Sequence, residues 1–358
     1  MRHNKNANAE SADSPAVLSK KMDPFPDSFL PIFIQNQFRT KIELPTKERY
    51  PSVQGKCAII TGSNTGLGFE SARQLLALGL SHLVMAVRSL EKGNEAAKKL
   101  HDANPAAKIH VWKLDMESYD SVQTFVDRCH RELDRLDIAI LNAGLSPLSF
   151  STCSTGHEKT MQVNHFSTAL LAVLLLPCLK SKARGNELPH LTIVNSVTAH
   201  LCKFPNRNER PLLASFDDTN ITAWDPQERY GVSKLISQLF LVKLADLVNP
   251  DNVVINMVDP GLTKGTSLAR DAKGAIGVAV KGLLAIAGRP TERGSATYVD
   301  AVLGHGKDSH GCFLMNCKNA PLASWFYTDG IKLTDLVWNE TLQEFKFANL
   351  EDIIASMQ

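Results

Sequence analysis

Between a short apolar run at residues 57–60 and a longer amphipathic stretch reaching Leu78 lie Thr61, Gly62, Ser63, Asn64, Thr65, Gly66, Leu67 and Gly68. Three glycines at a strand-to-helix bend let the backbone turn tightly and bring its amides, with the positive end of a helix, against a pyrophosphate. A plain turn with incidental glycines is the alternative. The flanking strand and helix patterns favour nucleotide binding, and they commit the chain to a parallel sheet.

The rest of the sequence repeats that alternation. Strands are expected at 82–87, 109–114, 137–141, 191–194, 253–258 and 312–315, with helices over 90–103, 118–134, 156–179 and 224–241, two between 266 and 303, and a closing helix at 335–347. The fold class is therefore α/β, a doubly wound parallel sheet over residues 55–350. Residues 1–22 are polar and read as a disordered tail. Residues 23–54 read as an irregular arm broken by Pro24, Pro26, Pro31, Pro45 and Pro51. The connection 197–224 is unusually long, as substrate walls often are.

Candidate site residues cluster at predicted strand ends, where open α/β sheets bind ligands. Arg88 follows the second strand, where an acidic residue would take the ribose hydroxyls of NAD; a cation there suits the 2′-phosphate of NADP, with Lys92 able to share it, or is a solvated charge opening the next helix. Asp115 either approaches an adenine ring or caps a turn. Asn142, Ala143 and Gly144 end the central strand, and Ser196 ends the next. Pro260, Gly261 and Thr263 leave the sixth, with the Thr263 hydroxyl placed to face a cofactor. Asn164, amid apolar residues, must find partners as a buried amide or hold a water. His157 and His165 read as ordinary helix residues.

Tyr230 and Lys234 stand four apart in a helical segment, so phenol and ammonium share one face. A cation beside a phenol favours the phenolate, which would let Tyr230 exchange a proton near neutral pH. A half-buried ring and a solvated charge have the same spacing.

Composition narrows the alternatives. A net charge of +2, from 39 basic and 37 acidic residues with no long basic run, argues against nucleic acid as a partner. Seven irregularly spaced cysteines suit a reducing compartment. Cys312 and Cys317 lack a second ligand pair for zinc, and Asp217 and Asp218 read as turn residues, so no metal is expected. No run of about 18 apolar residues suggests a membrane span, and a cytoplasmic protein is expected. Residues 25–38 and 274–287 are apolar enough to leave a membrane surface possible but not favoured.

Taken together, the glycine turn, Asn142–Ala143–Gly144, Ser196, and Tyr230 with Lys234 resemble the short-chain dehydrogenase/reductase family over about residues 55–317. The resemblance implies a single Rossmann-like domain with a seven-stranded parallel sheet. Thr61, Gly62, Gly66 and Gly68 match its cofactor turn, Arg88 the basic residue of NADP-preferring members, and Asn164, Ser196, Tyr230 and Lys234 its catalytic tetrad. The family commonly has two serines where this chain has Asn195, Ser196, Val197 and Thr198; Ser196 is the better match and Thr198 the fallback. The arm, Gln162–Val163–Asn164 and the long 196–230 interval look most similar to a retinol-dehydrogenase-like branch common in fungi and active in secondary metabolism. Such a resemblance implies an NADP(H)-dependent oxidoreductase acting on a hydrophobic ketone, aldehyde or alcohol, in which Lys234 lowers the Tyr230 pKa, with a homodimer possible. Alternatives are an NADP-bound sensor or scaffold, a dehydratase or epimerase retaining NAD, and a membrane-surface retinol or steroid-like dehydrogenase.

Overall fold

A computed structural model describes residues 17–185, 187–265 and 282–358. Strands β1 (Cys57–Thr61), β2 (His82–Val87), β3 (Lys108–Lys113), β4 (Ile138–Leu141), β5 (His190–Val194), β6 (Val254–Asp259) and β7 (Phe313–Met315) pair in the order β3-β2-β1-β4-β5-β6-β7, all parallel. The central ones are buried on both faces, which is why they read as continuous apolar runs.

Helices α1 (Gly66–Ala77), α2 (Leu90–Ala103), α3 (Tyr119–Glu132), α4 (Ser167–Lys182), α5 (Pro226–Leu247) and α6 (Thr291–Leu303) cover the sheet, followed by α7 (Gly330–Glu344) and α8 (Leu350–Ala355). Alternate residues of β1 feed two cores. Cys57 and Ile59 join Phe125, Leu170 and Phe240 of α3, α4 and α5. Ala58 and Ile60 join Leu75, Leu100 and Val299 of α1, α2 and α6.

The seven parallel strands expected are all present, and an eighth, β8 (Lys318–Ala320), extends the sheet by pairing antiparallel with β7. The reversal uses Asn316 and Cys317, both left-handed (φ 55° and 63°), as a two-residue hairpin turn demands. β8 carries Lys-Asn-Ala, which has no apolar signal to read.

The disordered tail expected over 1–22 does not extend that far. Residues 1–16 lie outside the described ones, but Ser19–Lys21 is a 3-10 turn and Ser19 is fully buried. The Ser19 hydroxyl accepts Phe313 N at 2.9 Å and the Ser19 carbonyl accepts the Tyr327 hydroxyl at 2.6 Å. The arm also holds regular structure, a helical turn at Leu30–Ile34 followed by a π turn at Gln35–Arg39. Pro31 sits in the first turn, where a missing N–H costs nothing.

Further expectations shift. The helix predicted over 156–179 starts at Lys159, where the Glu158 carboxylate accepts Thr160 N and Met161 N, and it runs to Lys182 through a π turn at Gln162–Phe166. Lys159–Lys182 is long and apolar enough to cross a membrane, contrary to the reading of no such run, yet 89% of its apolar window is buried inside the protein. The long 197–224 connection is packed onto the protein: Leu212, Leu213 and Phe216 are buried, and the Glu340 carboxylate accepts Leu212 N and Leu213 N at 2.9 and 2.7 Å. The closing helix is α7 plus α8, not 335–347. Of the two helices expected at 266–303, the second is α6; most of the first lies outside the described residues, with 282–287 helical.

Gly93 lets α2 sit close on the sheet. A Cβ there would lie 2.5 Å from Val111 Cγ1 and 2.6 Å from Val87 Cγ2, both stiff branched side chains. Gly93→Ala should therefore lower stability by about 1–2 kcal/mol in urea unfolding, because overpacking exceeds the roughly 1 kcal/mol of helix propensity gained. An unchanged or raised urea midpoint would contradict this packing.

Candidate active site

β1 and β4 are neighbours in the sheet but their following helices leave to opposite sides, and the crevice between their carboxyl ends is the natural ligand site. Gly62 and Gly66 at its edge take φ of 64° and 59°, which suit glycine. The Asn142 side chain donates to Thr61 O at 2.9 Å, and Ala143 N donates to Thr61 Oγ1 at 2.8 Å. A Cβ on Gly68 would lie 2.5 Å from Asn142 Nδ2 and 2.8 Å from Gly62 O. Thr61–Gly68 and Asn142–Gly144 are thus one unit, with Thr65 as the residue preceding α1. Ser63 is buried and donates to Ile60 O, which makes it a brace of the turn.

α5 opens with Asp225, whose carboxylate caps Gln227 N and Glu228 N, and with Pro226 in its first turn. One turn on, Lys234 Nζ lies 5.7 Å from the Tyr230 ring centroid and donates to Val194 O at 2.8 Å. The π turn aims Asn164 at the same place: its amide nitrogen donates to Leu145 O (2.9 Å) and Ser233 Oγ (3.0 Å), and its oxygen accepts Leu145 N (2.9 Å). A Cβ on Gly144 would lie 3.2 Å from Asn164 Oδ1 and 3.7 Å from Lys234 Nζ. The Ser196 hydroxyl lies beside the Tyr230 phenol, close enough to lower its pKa, and accepts Thr198 N at 3.2 Å. All four residues of the expected tetrad converge. Thr198, the fallback, has a buried hydroxyl without a protein partner.

The electrostatics differ from expectation. Burial pushes the Tyr230 phenol well above its usual range, the Asp259 carboxylate adds to that, and only the Ser196 hydrogen bond opposes it. Burial also lowers Lys234, to about 8. In this state Lys234 does not pull the phenol down, because its ammonium is turned to Val194 O and is itself desolvated. Asp259 is buried at the end of β6 and ties two loops together, accepting Val197 N at 2.9 Å and Gly261 N at 3.0 Å. Thr263 is buried, and its Oγ1 would meet a Cβ on Gly294 at 2.6 Å where Leu67 would meet it at 2.8 Å. Pro260, Gly261 and Thr263 therefore stand beside the glycine turn.

Arg88, 56% exposed in its side chain, pairs with Glu117 at 2.5 Å, and Glu117 also pairs with Lys159 at 3.1 Å. The Asp115 carboxylate accepts Glu117 N at 3.1 Å and its backbone N donates to Ser121 Oγ at 2.9 Å, which suits a turn brace. Lys92 is exposed in the first turn of α2. A groove of about 500 Å³, lined by Tyr50, Leu78, Ser81 and Ala107 among others, lies at the amino edge of the sheet, away from this chemistry.

Residues 56–200 match the short chain dehydrogenase family. The short chain dehydrogenase/reductase mfmJ of Annulohypoxylon moriforme is 50% identical over 345 residues, covering 96% of this chain and 99% of that one. The short chain dehydrogenase virL of Hypocrea virens is 41% identical over 330 residues, covering 91% and 94%. The chain belongs to the short-chain dehydrogenase/reductase family. Among solved structures, L-sorbose reductase from Gluconobacter frateurii, complexed with NADPH and L-sorbose, has the same fold at a TM-score of 0.54 and 20% identity, covering 76% of this dehydrogenase/reductase and 97% of its own chain.

Sequence reasoning missed the polar network that carries the enzyme's α5. Glu158 and Arg229, both buried, pair at 3.3 Å, and Arg229 also donates to Phe216 O at 2.5 Å, one residue before Tyr230. His157 precedes the helix rather than lying in it, and it is not ordinary. It bonds Asp217 at 2.9 Å and Glu344 at 3.2 Å, so Asp217 is an ion-pair partner rather than a mere turn residue. Burial lowers the imidazolium's pKa, but the two carboxylates outweigh it and raise His157 to about 9. These partners lie 60 and 187 residues away, beyond any local pattern.

Because His157 is raised above its unfolded value of 6.5, its stabilisation is complete below pH 6.5 and is lost as pH rises through about 9. The total is about 3 kcal/mol at 1.36 kcal/mol per unit. Urea midpoints should fall between pH 6.5 and 9 in the wild type relative to His157→Gln, whose profile lacks this slope; parallel profiles would contradict the pairing.

Proposed function

We propose that this enzyme uses NADP(H) to interconvert a ketone or aldehyde and an alcohol on a fairly hydrophobic small molecule, acting as a reductase in fungal secondary metabolism. The observation that carries this reading is the convergence of Asn164, Ser196, Tyr230 and Lys234 beside the glycine turn. The buried Lys234 ammonium, with a carbonyl as its hydrogen-bond partner, and the space that only glycine permits at 62, 66 and 68 fit a nicotinamide dinucleotide. When bound, that cofactor supplies or accepts the hydride.

Gly62, Gly66 and Gly68 with the α1 N-terminus would hold the pyrophosphate, and Lys234 the nicotinamide ribose. Arg88 would take the 2′-phosphate. Its present pair with Glu117 is exposed, and such pairs are worth about 0–1 kcal/mol, less than a bidentate contact to a phosphate dianion. Glu117 would keep Lys159 as its partner.

The phenol held protonated by burial is suited to donate. In reduction, Ser196 and Tyr230 hydroxyls would hydrogen-bond the substrate carbonyl oxygen and stabilise the charge that develops there, with Tyr230 Oη giving up its proton. Asn164 has both N–H groups committed to protein, so its remaining oxygen lone pair is the one available to order a water that replenishes that proton. Phe150 and Trp224 pack edge to face at 5.6 Å, and Trp224 Nε1 donates to Leu148 O, which joins the segment after Gly144 to the one before α5.

Tyr230→Phe is the direct test. With NADPH and a panel of hydrophobic ketones and aldehydes, product formation followed by mass spectrometry should fall about 10²–10⁴-fold, the usual worth of a general acid, while NADPH still binds. A mutant keeping most of its rate would overturn this assignment.

A further inference from the structure

The N-terminal arm reaches the site through one side chain. Gln37 donates from its amide nitrogen to Leu262 O at 2.9 Å and to Ala287 O at 2.7 Å, and its oxygen accepts Leu262 N at 3.2 Å. It satisfies Leu262 on both its backbone groups, as a neighbouring strand would, and ties Leu262 to Ala287. A Cβ on Gly261, whose φ is 72°, would lie 2.7 Å from Gln37 Oε1 and 2.7 Å from Arg289 Nη1, so the turn is clamped from behind at van der Waals distance. The next residue back reinforces this. Asn36 is buried, its carbonyl accepts Arg289 Nη2, and its Oδ1 accepts Asn316 Nδ2 at 2.7 Å. Arg289, also buried, donates to Pro260 O at 3.3 Å, and its backbone N donates to Leu262 O at 2.8 Å.

Asn36 and Gln37 are adjacent in a π turn over residues 35–39, Gln37 engaging the turn directly and Asn36 through Arg289. Such turns are rare and often mark functional positions. The other π turn among the described residues carries Asn164.

We propose that Gln37 is a positioning residue for the nicotinamide half of the cofactor site. Held by Gln37, the Pro260–Thr263 turn keeps Thr263 beside Leu67 and the glycine turn, while Asp259 holds the other side of the same turn to Val197, next to Ser196. The arm is thereby part of the site and not only a wrapping of the fold. This inference rests on the NADP(H) reading above.

The test compares two ligands on the full chain, NADPH and adenosine 2′,5′-bisphosphate, which carries the adenosine half alone. Gln37→Met keeps the length and removes the carboxamide. NADPH should bind about tenfold more weakly to it by nicotinamide fluorescence, the scale of one or two net hydrogen bonds, while the bisphosphate should bind within about twofold of wild type. Should Gln37→Met fail to melt as a folded protein, Gln37→Asn, which keeps the carboxamide but not its reach to both Leu262 and Ala287, should show the same split. Equal losses for both ligands, or no loss for either, would overturn the positioning role. A wild type that binds neither ligand would overturn the NADP(H) reading and this inference with it.

Discussion

A lysine ammonium desolvated at the floor of a cleft is the constraint around which this molecule is arranged. Lys234 is 5% exposed, and burial lowers its pKa to about 8, so holding it charged at neutral pH costs free energy that its surroundings must offset. Val194 O accepts a hydrogen bond from the ammonium, and the Asn195 side chain donates to Lys234 O, fixing the α5 backbone from the end of the same strand. Gly144 leaves room for Asn164, whose Oδ1 a Cβ there would meet at 3.2 Å, and lies within van der Waals reach of the ammonium at 3.7 Å. Each of these groups sits at the carboxyl end of β4 or β5. The parallel sheet brings together residues about 40 to 90 apart in the chain so that one cation and one phenol share a pocket.

Around that pocket, carboxylates are tied up by protein partners. Asp259 satisfies Val197 N and Gly261 N, Glu158 satisfies the helix start at Thr160 and Arg229, and Asp217 and Glu344 hold His157. Buried ion pairs of this kind stabilise little in net terms, but breaking one by removing a partner costs about 3–5 kcal/mol. Their effect is to fix α5 and the two flanking loops in one arrangement. Ser196, just after β5, is thereby kept beside Tyr230.

What was legible in the sequence was what depends on neighbours in the chain. The glycine turn, the Asn142–Gly144 strand end and the Tyr230–Lys234 spacing are each confined to a few consecutive residues, and local backbone rules govern them. Asn164 was legible only as a buried amide that needed partners; Leu145 and Ser233 were not. β8 escaped because its residues are polar and its existence follows from the left-handed turn at Asn316 and Cys317. Ser19, Gln37 and His157 escaped for another reason. Their partners Phe313, Leu262 and Glu344 are 294, 225 and 187 residues away, and a serine, a glutamine or a histidine carries no periodic signal. The expected fall in the Tyr230 pKa failed because spacing on a helix says that two groups share a face, not how dry the face is.

The proposed binding of a dinucleotide in the crevice between β1 and β4, with Arg88 taking its 2′-phosphate, is the centre on which the other proposed roles depend. Calorimetric titration of the wild-type chain with NADPH and, separately, NADH measures this without any knowledge of the substrate. One NADPH per chain, bound at least about tenfold more tightly than NADH, is the predicted result, since a charge-assisted contact is worth about 1.5–3 kcal/mol. Equal affinities, or a preference for NADH, would contradict the role of Arg88, and binding of neither would contradict the site.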